Sequence, residues 1–219
     1  MSDQSLPVDV VGIGFGPSNL ALAIAIEEHN VTAEPGQQVS ARFFDKQERF
    51  GWHRGMLLPG STMQVAFLKD LVSQRNPRSA YSFINYLHER GRLTDFINRQ
   101  DFFPLRVEFH DYLAWAADRV DIEVHYGTEV TTVRHDDDAF VVEYAGGAVR
   151  ARNIVLGGGL RAKLPAGVIA GPRVFHNHQV LDRFAELPEL RHKRFAVIGA
   201  GQSAAEVAEF LHERTDAEV

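Results

Sequence analysis

The chain has 219 residues, a formal charge of −6 and no cysteine. The acidic balance argues against nucleic-acid binding by phosphate neutralisation. The missing thiols exclude disulfides, thiolate zinc sites, iron–sulfur clusters and Cys-x-x-Cys redox chemistry.

Apolar residues make up 45% and charged residues 24%, ordinary for a globular chain with one sizeable core or two small ones. Met1 to Pro7 lacks a basic-then-apolar signal pattern. No run approaches the roughly 18 apolar residues of a membrane span. The expectation is a cytoplasmic chain.

Val8 to Ile13 is a short run with β-branched residues and fits a buried parallel strand. Gly14-Phe15-Gly16-Pro17-Ser18-Asn19 follows at once, and Leu20 to Glu28 reads as an Ala/Leu/Ile helix. Strand, glycine turn and helix form the context of a dinucleotide fingerprint. Gly14 allows the tight turn, and Gly16 lets backbone approach a pyrophosphate at the helix N-terminus. The third fingerprint position holds Asn19 in place of glycine.

His29 to Gln38 reads as a loop, and Val39 to Phe44 as a second strand ending at Asp45. An acid there commonly bonds a ribose hydroxyl. It lies farther from the glycines than the usual ~20 residues, which the loop accounts for. Phe50 to Asn76 has neither strand nor helix periodicity. It sets Trp52 and His53 ahead of Gln64, Phe67, Leu68 and Lys69, a mix suited to a wall facing a planar cofactor and a small polar substrate. The plainer reading is a buried connector.

Tyr81 to Glu89 is helical and Gly91 ends it. Leu93 to Asn98 is a short apolar segment. Phe109, Tyr112, Leu113, Ala116 and Val120 recur at helical spacing and read as core. From Ile122 the period becomes two. Ile122–Tyr126, Glu129–Arg134, Phe140–Tyr144 and Val149–Leu156 read as strands of one meander of hairpins, with Asp136-Asp137-Asp138 as a solvated turn. Leu164-Pro165 and Gly171-Pro172 read as a linker. His176-Asn177-His178 lacks a third ligand, so no metal is expected.

Arg194 to Ile198 reads as a further strand, and Gly199-Ala200-Gly201-Gln202-Ser203-Ala204 as a second fingerprint opening a helix from Ala205. Ala204 takes the packing role of the third glycine. Two fingerprints about 185 positions apart, each between strand and helix, imply two nucleotides, most simply FAD and then NAD(P)H. Asp216 to Val219 would begin the next strand, so the chain reads as the N-terminal part of a longer protein or as a truncated product.

These motifs resemble the flavin-dependent N-hydroxylating monooxygenases of siderophore biosynthesis, which act on L-ornithine N5 or L-lysine N6. The resemblance is carried by Gly14 to Leu20, Phe50-Gly51-Trp52-His53, Met63-Gln64 with Phe67-Leu68-Lys69-Asp70-Leu71, Tyr81 to Leu87, Glu108 to Leu113 and Gly199 to Glu206.

It implies an α/β fold: a Rossmann-like FAD-binding domain with a β-meander over residues 1–160, containing the substrate-site segment 50–76. A linker and an incomplete Rossmann-like NADPH-binding domain take residues 161–219. It implies FAD contacts from Gly14, Gly16, Pro17, Ser18, Asn19, Asp45, Lys46, Gln47, Phe50, Trp52, His53, Gln64 and Val130. Gln64 is the catalytic candidate beside the isoalloxazine, and Lys69 the substrate-binding candidate, for the amino-acid carboxylate. Gly199, Ala200, Gly201, Gln202 and Ser203 would hold NADPH. The implied reaction is side-chain amine hydroxylation with O2 through a C4a-hydroperoxyflavin, in a homo-oligomer (dimer or tetramer) that binds neither nucleic acid nor membrane.

Gly171 to His176 follows the flavin-monooxygenase identifying motif only loosely, one residue too long. The alternatives are an NAD(P)H-dependent flavoprotein reductase and a non-catalytic FAD-binding fragment.

Overall fold

The computed structural model describes residues 6–187, 193–215 and 219. The expected start of a further strand at Asp216 lies outside the described residues. The chain forms two compact units. The first takes residues up to Trp52, Phe67–Asp101 and Tyr112–Gly159; the second takes His53–Ala66, Phe102–Asp111 and Leu160–Val219.

The first unit is built on one six-stranded sheet. β1 (Val8–Ile13), β2 (Ala41–Phe44), β3 (Glu123–His125), β4 (Val130–Asp136), β5 (Ala139–Tyr144) and β6 (Gly147–Leu156) lie in the order β3-β2-β1-β6-β5-β4. β1, β2, β3 and the end of β6 run parallel, whereas β4, β5 and β6 are antiparallel neighbours. The join is made by the length of β6. Its first half pairs with β5 and its second half with β1, and Ala151 faces both Phe140 and Val8.

One expectation is corrected here. β3 is not part of the meander; it is the far edge strand, parallel to β2. Period-two patterning identifies a strand but not its partner. The pairing is fixed by contacts distant in sequence, among them Arg42 to Glu123 at 2.6 Å.

α1 (Pro17–Thr32) follows β1, and its Leu20, Ala23, Ile24 and Ile26 are buried. It extends into the expected loop, to Thr32. α2 (Phe83–Glu89) is capped by Ser82, whose hydroxyl accepts from Asn85 N at 3.1 Å. Leu93–Asn98 is α3, a single short helix. Its Leu93, Phe96 and Ile97 stand at helical spacing, the signal that would have found it. α4 (Arg106–Ala117) carries the predicted stripe from Phe109 to Ala116, and Val120 lies beyond its end.

Phe83, Tyr86 and Tyr112 are fully buried, and Phe83 meets Tyr112 and Phe96 edge-on at 5.3 and 5.5 Å between ring centres. Each such side chain contributes about 1.5–3 kcal/mol by burial, before the edge-to-face term.

The second unit has its own core. Met56, Leu58, Val180, Phe184, Val207 and Leu211 are buried together, with Phe175, Phe195, Val197 and Phe210 packed against them. Its helices include α5 (Val180–Ala185), which falls between the expected linker and the expected strand at Arg194, and α6 (Gln202–Thr215). Arg194 to Ile198 does not form the expected strand. A strand exists only by its ladder, and among the described residues no strand pairs with Phe195 to Ile198. Among those residues no helix is long and apolar enough to cross a membrane.

Candidate functional site

In the first unit the chain leaves β1 through a turn that is locked on several sides. Gly14 has φ +82°, and a Cβ there would run into the Gly157 carbonyl, so only glycine fits. Gly14 N donates to Phe44 O at 2.7 Å, and Asn19 Nδ2 donates to Gly14 O at 2.6 Å. Asn19 at the third fingerprint position therefore braces the turn from beneath. Beside this rigid base the outer side is open. A Cβ on Gly16 would meet nothing within 4 Å. Gly16 caps α1 with no side chain bonded to the helix end, and Pro17 stands at its first position. The first-turn N–H groups and the positive end of the helix are thus presented outward. The buried Asn19 Oδ1 has no partner among the described residues, an acceptor that a hydroxyl-bearing ligand would satisfy. These features fit a cofactor carrying a pyrophosphate and hydroxyl groups.

Asp45, at the end of β2, is 7% exposed. Its Oδ2 accepts from Phe15 N at 2.6 Å and its Oδ1 from Gln47 N at 2.8 Å. One carboxylate thus ties the glycine turn to the segment that follows β2. Backbone bonds from Asp45 N to His125 O and from Thr128 N to Asp45 O, both 2.9 Å, anchor that segment to the β3 exit. Gln47 Nε2 donates to Gly51 O at 3.2 Å. Lys46 is exposed, 3.9 Å from Glu129. Phe50 is buried and Trp52 half-buried. Val130 opens β4, pairs with Tyr144 and packs against the cluster around Val11 and Phe44.

Lys69 sits on an irregular loop of the same unit. The loop is held by its neighbour. Asp70 Oδ1 accepts from Val72 N and Ser73 N at 3.0 and 2.6 Å, and Oδ2 accepts from Ser73 Oγ and Phe83 N, both at 2.8 Å. Tyr112 adds a second pin: its hydroxyl accepts from Leu71 N at 3.1 Å and donates to Tyr81 O at 2.9 Å. Burial raises the Tyr112 phenol above its ordinary range, with Asp70 adding to the effect, so it stays a proton donor at any ordinary pH. Although Asp70 is adjacent in sequence, its charge is spent on this network. Lys69 is exposed, and no acid among the described residues pairs with it. A free ammonium on a rigid loop is suited to a carboxylate. The helical spacing marks Tyr112 only as core, and no local pattern gives Asp70 a role.

Gln64, His53 and the second fingerprint belong to the second unit. Gln64 is exposed. His53 has a left-handed backbone, φ 50°, and starts the short helical turn Arg54–Met56. Desolvation first, then repulsion from His178 and Arg106, hold its pKa below the ordinary value, with Glu206 opposing. Gly199, φ +152°, faces Ala204 so closely that a Cβ would stand 3.3 Å from the alanine methyl. Ala204 N donates to Gly201 O at 3.0 Å. Gly201 is open, Gln202 and Ser203 are exposed, and α6 begins there. Two features of the first turn recur, a glycine bend and an outward helix end, with the small Ala204 where the first turn has the bracing Asn19. Arg106 and Glu206 form a bidentate ion pair in this unit, a partnership that local patterning cannot reveal. Among the described residues no group of three or more His, Asp or Glu is arranged to hold a metal.

Residues 6–219 match the family model described as L-lysine 6-monooxygenase/L-ornithine 5-monooxygenase. An L-ornithine N(5)-monooxygenase of Burkholderia cepacia is 46% identical over 216 residues, covering 91% of this chain and 48% of the relative. An ornithine N-hydroxylase of Kutzneria sp. 744, solved with reduced FAD, NADP+ and L-ornithine, superposes with a TM-score of 0.88 at 46% identity, over 94% of this chain and 50% of that one. An L-lysine 6-monooxygenase of Pseudomonas syringae gives 0.81 at 33% identity, over 94% of this chain and 51% of that one. The chain thus spans about half the length of these relatives. The six-stranded mixed sheet with its meander is the one these flavin monooxygenases share. The chain belongs to the L-lysine 6-monooxygenase/L-ornithine 5-monooxygenase family.

Proposed function

We propose that the chain serves FAD- and NADPH-dependent N-hydroxylation of the side-chain amine of L-ornithine, or of L-lysine, for hydroxamate siderophores. One observation carries the substrate half of this reading: an uncommitted ammonium, Lys69, on a loop clamped by Asp70 and Tyr112. An amino acid offers a carboxylate to that charge at one end, leaving its distal amine to react. The family membership supports the reaction class.

In this reading Gly14–Asn19, Asp45–Gln47, Phe50, Trp52, His53, Gln64 and the backbone of Val130 hold FAD, which supplies oxygen activation when bound. Gly199–Ser203 and α6 open a Rossmann-like NADPH-binding domain. Overall, one oxygen atom of O2 goes to the amine nitrogen and the other leaves as water, with two electrons supplied by NADPH. The amine must present a lone pair, so it reacts neutral. The chain's part is binding and orientation, and Gln64 is the side chain assigned to the flavin's reacting region. Ornithine is favoured over lysine because the relatives at 46% identity are named for ornithine. The working enzyme is taken as a cytoplasmic homo-oligomer.

The test is product analysis. The chain is incubated with FAD, NADPH and O2, with ornithine and lysine offered separately, and hydroxylated amino acid is read by mass. Product from ornithine is expected. Lys69→Ala should raise the KM for ornithine at least about tenfold, the worth of a hydrogen bond to a charged group, while NADPH oxidation persists. NADPH consumption with no hydroxylamine would point to a flavoprotein reductase. Flavin binding with neither would point to a non-catalytic FAD-binding module.

A further inference from the structure

The second unit contains a charged side-chain relay that ends on a residue of the dinucleotide turn. Arg106 opens α4, and its guanidinium makes both of its terminal nitrogens available in one plane. Nη1 donates to Glu206 Oε2 at 2.9 Å and Nη2 to Glu206 Oε1 at 2.7 Å. Nη1 also donates to Met56 O at 3.0 Å. Each side chain of the pair is only 11% exposed. Such a fork is geometrically specific, and a partly buried pair of this kind is weak evidence of net stability.

Glu206 Oε1 carries one more bond. It accepts from Gln202 Nε2 at 2.7 Å. Gln202 and Glu206 are four residues apart on α6, on one helical face. Gln202 is otherwise exposed and stands in the first turn of that helix. An exposed glutamine would ordinarily sample several rotamers, at an entropic cost when a ligand fixes it. Here a carboxylate that is itself immobilised takes one end of the amide. The amide oxygen is left pointing from a fixed position.

We propose that Glu206, locked by Arg106, is a positioning residue that pre-orients Gln202 for the dinucleotide at the Gly199–Ser203 turn. The inference rests on the reading of that turn as the NADPH site. It gives a role to Arg106 and to the Glu206 carboxylate, which lie outside Gly199–Ser203.

The test is a double-mutant cycle on NADP+ binding to the FAD-loaded chain, read by titration calorimetry, so no turnover is needed. Parent, Gln202→Ala, Glu206→Gln and the double variant are compared, with circular dichroism confirming the fold of each. Glu206→Gln should weaken NADP+ about tenfold in the parent background, the scale of a charge-assisted hydrogen bond. In the Gln202→Ala background it should weaken it less than about twofold, because coupled residues are non-additive. Equal weakening in both backgrounds would make Glu206 a general helix support and overturn the inference. So would unchanged affinity in Glu206→Gln. If Glu206→Gln fails to fold, Glu206→Asp keeps the charge, withdraws the carboxylate by one methylene and should show the same background dependence. Absence of NADP+ binding in the parent would instead overturn the nucleotide reading of the turn, a distinct outcome.

Discussion

At the scale of single residues, Asp45 shows how one side chain can serve a loop before it serves a ligand. The sequence places an acid at the end of the second strand, where a ribose hydroxyl is its usual partner. In the structure both oxygens already accept backbone N–H groups, from Phe15 and Gln47. A carboxylate has about four acceptor sites, so these bonds leave room for a sugar hydroxyl. They also make Asp45 the brace that keeps Phe15 and Gly16 in place. Asp45→Asn replaces one acceptor oxygen with a donor that faces an N–H group. We expect it to lose FAD affinity on the order of tenfold to a hundredfold, at about 1.5–3 kcal/mol for a hydrogen bond to a charged group. The flavin retained per chain after gel filtration, read by absorbance, checks this. Full retention would mean that the brace is dispensable.

At the scale of elements, the two short helical turns of the second unit bring three histidines together. Arg54–Met56 follows His53, and Asn177–Gln179 follows His176. The turns are pressed together: a Cβ on Gly55 would collide with the His178 carbonyl. The His53 and His178 rings meet edge-on at 5.9 Å, and those of His176 and His178 at 4.7 Å. His53 faces His178, Arg106 and Glu206, and His176 faces His178. Desolvation, then the neighbouring cations, lower both pKa values from 6.5. The sign follows directly. A histidine with a depressed folded pKa binds fewer protons folded than unfolded between that pKa and 6.5, so stability rises with pH across that window. It is lost as pH falls through 6.5. Asp9, lowered from 3.8 chiefly by hydrogen bonds from Ser40, loses its contribution only at more acid pH. We therefore expect the thermal midpoint to drop between about pH 7.5 and 5.5, near the ordinary histidine range. The pair His53→Asn and His176→Gln should flatten that drop. Asparagine tolerates the left-handed backbone at position 53. An unchanged slope in the double variant would assign the drop elsewhere.

At the scale of the molecule, what the sequence disclosed divides by range. The Gly14–Asn19 turn, α1, the α4 stripe and the meander strands were legible, because each is a local pattern of glycine, caps or period. The position of β3 was not, since a three-residue strand carries no mark of its partner. Arg194 to Ile198 has the composition of a strand, yet among the described residues Phe195 to Ile198 gain no ladder. The Asp45 bridge to Phe15 spans 30 positions, and the Arg106–Glu206 pair spans 100. Such bonds are decided by the fold, so no reading of neighbours could supply them.

The same division yields a test of the two proposed nucleotide turns, which fall in separate units. A ligand that binds only the folded state suppresses the local opening of the backbone it contacts. FAD should slow hydrogen exchange at residues 14–20 and 45–52, and NADP+ added afterwards should slow it at residues 199–206. Each ligand should leave the other's glycine turn unprotected when added alone. Exchange measured peptide by peptide by mass spectrometry gives the answer. Protection of 199–206 by FAD alone would assign the flavin to the second turn and reverse the order of the two nucleotides along the chain.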